Sequence, residues 1–195
     1  MKRNLIFSFL AAFFLCLPLS VAAQKQNGHA KQHKSVKKEL CLQLYSVRDL
    51  VHDINKDGKA EARWTSLLSR LHAMGYTSVE AAWYDQEHGT FYNRKAKDFK
   101  ADIEKAGMKV LSSHVNHGLT AEELASGDFT KALDWWKKCI ADHKAAGMSY
   151  IVNPWIGLQK SIHDLDVYCR YLNAIGKMCK EAGLSFGYHN HNYEF

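Results

Sequence analysis

The sequence predicts an α/β fold of about five parallel strands joined by four helical crossover segments, and three observations carry that reading. A glycine that closes a helix is followed four times by a short β-branched or aromatic run: Gly75 before 77–81, Gly107 before 109–115, Gly147 before 149–153 and Gly183 before 185–188. Glycine takes the positive φ that ends a helix, and the runs that follow have strand composition. These glycines are 32, 40 and 36 residues apart, the length of one strand and one crossover helix. The segments between them carry apolar residues at helical spacing.

The elements follow in order. Residues 40–45 form the opening strand. Trp64, Leu67, Leu68, Leu71 and Met74 fall on one helical face and lead into the strand 77–81. A shorter helix over 94–106 is organised around Phe99 and Ile103, and the strand 109–115 follows it. Thr120-Ala121-Glu122-Glu123 has the capping-box form that starts a helix. Phe129, Leu133, Trp136 and Ile140 trace the next stripe, before the strand 149–153. Leu165, Tyr168, Cys169, Leu172, Ile175 and Cys179 trace the last, before the strand 185–188. Each crossover contains a helix, so all five strands are expected to be parallel and the connections right-handed.

An open doubly wound sheet and a portion of a (β/α)8 barrel both satisfy this pattern. A mean repeat of 36 residues projects to about 288 over eight units, near the roughly 250 residues of such barrels with insertions. The chain supplies about five-eighths of that length, so a partial (β/α)8 TIM barrel over residues 40–195 is the expected domain. The chain stops just after the fifth strand with no helix to cover it, which is read as truncation or as a partner completing the sheet.

The 195 residues are 47% apolar and 24% charged with two prolines, which places the chain among ordinary globular domains and excludes collagen, a disulfide knot and a low-complexity tail. The net charge of +6 invites a nucleic-acid reading, but from residue 41 onward there are 19 basic and 19 acidic side chains. A neutral body offers little counterion release, so nucleic acid is not an expected partner. Lys2 and Arg3, the apolar run 5–17 and Val21-Ala22-Ala23 read as a signal peptide over 1–23, followed by a polar basic linker over 24–39. The expected location is periplasmic or secreted, with no stable membrane insertion after cleavage. Cys41, Cys139, Cys169 and Cys179 show neither a disulfide framework nor a C-x-x-C pair and read as small core fillers. Residues 53–58 imitate the start of a calcium loop, but the twelfth position is Trp64, so a polar turn is expected.

In parallel α/β folds chemistry gathers where the strands end. The polar residues there are Gln43 and Tyr45, Glu80 and Trp83, His114 with Asn116 and His117, Asn153 and Trp155, and His189, Asn190, His191, Asn192 and Glu194. Alternation places His189 and His191 on one face if their strand runs that far. Trp83 and Trp155 offer flat surfaces for a sugar ring, and Asn153 before Pro154 is held extended. No Walker loop, dinucleotide fingerprint or G-x-S-x-G elbow is present.

The run Leu42-Gln43-Leu44-Tyr45-Ser46-Val47-Arg48, Gly75-Tyr76 with Val79-Glu80, Ser113-His114, and above all Tyr188-His189-Asn190-His191-Asn192-Tyr193-Glu194-Phe195 resemble the sugar phosphate isomerase/epimerase group of xylose isomerase-like TIM barrels. The resemblance spans residue 40 to the last residue. It implies a divalent ion (Mn, Mg, Zn or Co) at the barrel mouth, with proton transfer at the carbon next to a sugar carbonyl. On that basis Glu80, His114 and His189 are the catalytic candidates. Gln43, Tyr45, Trp83, Asn153 and Trp155 are the substrate-binding candidates, and His191 and Glu194 the metal candidates. Later metal, acid and base positions of the family fall outside this sequence, so whether the chain is itself an enzyme stays open. The expected partner is a small carbohydrate, with homo-oligomerisation left open. The competing readings are a 3-keto-glycoside lyase of the same family and a catalytically silent fragment or sugar-binding domain. A metal-dependent abasic-site endonuclease is disfavoured by the expected export and the neutral body.

Overall fold

The computed structural model describes residues 38–52 and 59–194. The expected signal peptide, nearly all of the expected linker and the 53–58 turn lie outside those residues. Five strands, β1 (Cys41–Gln43), β2 (Ser78–Ala81), β6 (Lys109–His114), β7 (Tyr150–Asn153) and β8 (Ser185–Tyr188), form one parallel sheet in the order β1-β2-β6-β7-β8. The order follows the chain without reversal. A doubly wound sheet reverses its strand order at a switch point, whereas a barrel adds each strand beside the last, so the fold is a partial (β/α)8 barrel.

The repeat expected at the four glycines is built the same way each time. Gly75, Gly107, Gly147 and Gly183 have φ of 96°, 84°, 77° and 81°. After each, the next amide reaches back to a carbonyl five residues earlier: Tyr76 to Leu71, Met108 to Ile103, Met148 to His143 and Leu184 to Cys179. That bond closes the last helical turn and turns the chain into the strand. At Gly107 an added Cβ would also lie 3.0 Å from the His72 ring, so glycine is required there by both φ and space.

Helices α2 (Ala60–Ala73), α3 (Ala96–Lys105), α5 (Thr130–Ala145) and α6 (Ile162–Glu181) supply the crossovers, with the short α1 (Arg48–His52) and α4 (Ala121–Ser126) between them. One buried cluster joins Trp64, Leu67, Leu68 and Leu71 of α2 and Phe99 and Ile103 of α3 to Val79, Ala81 and Val110. A second joins Trp136, Cys139 and Ile140 of α5 and Tyr168, Tyr171, Ile175 and Cys179 of α6 to Ile151. Glu80, Ser112 and His114 are instead joined to polar partners. In β2, Glu80 alternates with the packed Val79 and Ala81, whereas in β6 an irregularity separates the packed Val110 from Ser112 and His114. Among the described residues no helix is long and apolar enough to cross a membrane.

Several expectations shift. The opening strand is shorter than 40–45, because Leu44–Val47 winds into a 3-10 turn that buries Leu44. The helix expected from Arg94 begins at Ala96, because Arg94–Lys95 is strand β5 of a small antiparallel sheet with β3 (Tyr84–Asp85) and β4 (Thr90–Phe91). Tyr92 and Asn93, at φ 51° and 63°, make the tight turn between β4 and β5. Two-residue strands carry no periodicity, so nothing in the pattern announced this sheet. In α6 the buried stripe is Val167, Tyr168, Tyr171, Ile175 and Cys179, while Leu165 and Cys169 are exposed. The rotation buries Tyr171, whose hydroxyl accepts from Trp136 Nε1 at 2.6 Å and donates to the His117 carbonyl at 2.9 Å. Of the described cysteines, only Cys139 and Cys179 fill core; Cys41 and Cys169 are exposed.

The capping box forms as its spelling implies. Thr120 Oγ1 accepts from the Glu123 amide at 3.2 Å, and the Glu123 carboxylate accepts from the Thr120 amide at 2.9 Å. Thr120→Ala is expected to lower stability by about 1 kcal/mol, read as an earlier midpoint in urea unfolding, with Thr120→Ser close to the parent protein.

Candidate active site at the strand ends

Strand register places the candidates. Gln43 pairs with Glu80, and Glu80 pairs with Ser112 across an irregularity between Val79 and Glu80. The extra β6 residue, Leu111, puts Ser112 and then His114 on the face shared by Glu80 and Gln43. Side-chain bonds follow. Gln43 Nε2 donates to Glu80 Oε1 at 2.7 Å, and Ser112 Oγ donates to Glu80 Oε2 at 2.6 Å. Both carboxylate oxygens are thus met by neutral donors.

Gln43 Nε2 also lies 2.8 Å from His114 Nδ1. An amide nitrogen only donates, so Nδ1 is the bare acceptor nitrogen and the ring proton sits on Nε2. That nitrogen is 3.6 Å from Glu80 Oε1, long enough for its proton to serve a ligand oxygen instead. The two side chains keep 17% and 15% of their surface exposed, so they are reachable yet largely shielded. Burial, the largest influence, holds His114 below the ordinary histidine value of 6.5; His189 and His191 act in the same direction and Glu80 opposes them. The site therefore juxtaposes a carboxylate with a neutral imidazole N–H.

The imidazoles continue around the rim. The rings of His114 and His189 are 5.1 Å apart, those of His189 and His191 4.8 Å, and His191 stacks on Tyr193 at 5.4 Å. Strand β8 ends at Tyr188, so it is the loop after it, anchored by the His189 amide on the Asn153 carbonyl at 2.9 Å, that gathers the rings.

Glu194 bonds to the end of β8 and within the loop after it. One carboxylate oxygen accepts from the Tyr188 hydroxyl and the other from the His191 amide. Both oxygens are thus held from within the same segment, and it is the backbone amide of His191, not its ring, that meets Glu194. Among the described residues no three His, Cys, Asp or Glu side chains converge on a point where an ion would be held. The described residues by themselves do not complete a donor set for the divalent ion that the resemblance implies.

The binding candidates divide. Gln43 is part of the acid–base cluster itself. Asn153 is 1% exposed, donates to Asn116 Oδ1 at 3.3 Å and accepts the Trp155 amide at 3.0 Å, so its amide shapes the loop after β7. Tyr45 and Trp83 face a cavity of about 740 Å3 whose lining does not include Glu80 or His114. Trp155 is exposed on the loop after β7. Ser112 was not among the candidates, although its position two residues before His114 on one strand was the available signal. His117, stacked on Trp135 at 4.4 Å and held low by burial, belongs to packing.

The profile of the family described as xylose isomerase-like TIM barrel matches residues 68–195. Two solved structures, both described as sugar phosphate isomerase/epimerase from Parabacteroides distasonis, are similar to the chain. One has 30% identity and a TM-score of 0.66 over 84% of this chain and 55% of its own. The other has 29% identity and a TM-score of 0.64 over 81% of this chain and 56% of its own. The chain thus spans a little over half the length of these structures. No curated protein sequence matches it significantly.

Proposed function

Because the chain belongs to the xylose isomerase-like TIM barrel family, we propose that its strand-end cluster moves a proton on the carbon beside a carbonyl of a sugar or sugar derivative, as in isomerisation or epimerisation. The observation that carries this is the Gln43–Glu80–Ser112–His114 cluster: a carboxylate poised as base beside an imidazole that donates from Nε2. Glu80 takes the proton from the carbon, and the His114 Nε2–H donates to the carbonyl oxygen as negative charge develops there. Gln43 positions both by holding Glu80 Oε1 with one amide hydrogen and His114 Nδ1 with the other. His189, next to His114, is placed to touch the same ligand. No step is assigned to a divalent ion, since the described side chains do not assemble its donors.

The same family supports β-elimination from a keto-glycoside, which begins with the identical proton abstraction; the basic and apolar start of the sequence supports an exported protein, where a glycoside substrate is at hand. The test is proton exchange in D2O, followed by NMR, on a panel of aldoses, ketoses and keto-glycosides. Deuterium is expected at the carbon beside the carbonyl of at least one of them, with the rate cut by His114→Ala. Saturable sugar binding without any exchange would replace catalysis by a carbohydrate-binding role.

A further inference from the structure

We infer that the cavity beside the acid–base cluster is a second saccharide subsite, so that the ligand is an unphosphorylated glycoside of at least two rings. The inference rests on the function proposed above only for which ring reacts. The cavity of about 740 Å3 is of the size that encloses an organic ligand larger than one small ring. Its position follows from the chain: Tyr45 comes two residues after Gln43, and Ala82 and Trp83 come two and three after Glu80. Tyr45 and Trp83 thus follow directly on the strands that carry Gln43 and Glu80, the place for a second ring of a ligand whose first ring lies at Glu80 and His114.

The walls favour a sugar. Trp83 and Tyr45 are 59% and 56% exposed, while Trp64 and Tyr92 close the back of the cavity as part of the packed core. Large exposed rings at the mouth of a cavity suit the apolar face of a pyranose. Carboxylates of Asp49 and Asp98 line the same space and accept hydroxyl protons.

The walls also disfavour a phosphate. The basic lining residues are Arg48, Arg94 and Lys95, matched by Asp49, Glu61 and Asp98. Arg94 is clamped between Glu61 at 2.6 Å and Asp102 at 2.5 Å. Lys95 donates to the His88 carbonyl at 2.7 Å, and Arg48 donates to the Tyr45 carbonyl at 3.1 Å with its guanidinium over the Tyr45 ring. A phosphate dianion would have to compete with carboxylates for Arg94 and would sit among Asp49, Glu61 and Asp98. A neutral glycoside meets neither cost.

The experiment titrates cellobiose, maltose, glucose and glucose phosphate against the protein while intrinsic fluorescence is read. At least one disaccharide is expected to bind more tightly than glucose and glucose phosphate. Trp83→Ala should weaken that disaccharide about tenfold and leave glucose little changed, with Trp83→Phe recovering part of the loss. The inference is overturned if neither disaccharide binds, if glucose phosphate binds more tightly than both, or if Trp83→Ala leaves disaccharide affinity intact. Failure of the proton-transfer reading is separable: disaccharide binding that depends on Trp83, without deuterium exchange on any sugar, sinks that reading alone. Exchange with Trp83-independent binding sinks only the subsite.

Discussion

Replacing Glu80 by Gln should slow deuterium exchange about 10²- to 10⁴-fold, the range expected when a positioned base is lost. The amide matches the carboxylate in shape but cannot take a proton. It also presents a donor to at least one of Gln43 Nε2 and Ser112 Oγ, which now both donate to the carboxylate. With the new carbonyl toward Gln43 and the new nitrogen toward Ser112, the hydroxyl can turn to accept, so the cost in stability is about 1 kcal/mol or less, and thermal unfolding is measured alongside the rate. A fall in rate with the protein still folded assigns the base. An unchanged rate removes Glu80 from the chemistry.

A second readout separates chemistry from structure. Glu80 holds the His114 value up against burial and the neighbouring imidazoles. With the carboxylate gone, His114 should titrate at still lower pH in an NMR titration. In the parent protein, activity should be lost as pH falls through the His114 value, which lies below 6.5, because protonation of Nδ1 removes the acceptor that Gln43 needs.

Acidification between pH 6.5 and about 4 should destabilise the fold through His143 of α5. This imidazole is fully buried, with Nδ1 2.7 Å from the Cys139 carbonyl, so the ring proton sits on Nδ1. The rings of Tyr84 and Phe91 meet it edge-on at 4.8 Å and 4.9 Å, and among the described residues Nε2 has no hydrogen-bond partner. Protonation would place a charge and a second donor in apolar surroundings, and burial accordingly pushes the value from 6.5 down to about 4.

The sign follows from proton binding. Between those two values the unfolded chain carries a proton on this ring that the folded chain lacks, so stability falls as pH falls and the loss is complete near pH 4. A drop from 6.5 to about 4 corresponds to about 3 kcal/mol. His143→Phe keeps the ring volume and removes the titration. Urea midpoints measured across pH should diverge between the two proteins, the parent losing more on the acid side. Parallel curves would mean that His143 is solvated.

The alternating sheet and the helix stops were legible in the chain because each is a local signal. A glycine at positive φ and a run of β-branched residues need no distant partner, so Gly75, Gly107, Gly147 and Gly183 fell in register with β2, β6, β7 and β8. The Thr120 capping box was equally local. The β3-β4-β5 sheet was not legible, since its two-residue strands are held by packing: Tyr84 donates to Asp142 at 2.7 Å, and Tyr92 accepts the Ala82 amide at 2.9 Å. Nor was the face of α6 that is buried, because its apolar residues allow two stripes and the Trp136–Tyr171 bond selects one.

By itself, then, the order of residues determined the family, the parallel α/β architecture and the set of polar residues delivered to the strand ends. It did not determine which of them meet. Only the tertiary structure decided that Gln43, Glu80, Ser112 and His114 share hydrogen bonds while Glu194 turns to Tyr188 and the His191 amide. The reason is register. An irregularity between Val79 and Glu80 moves β6 by one residue, and because side chains alternate across a strand, that single step decides which of them face Glu80.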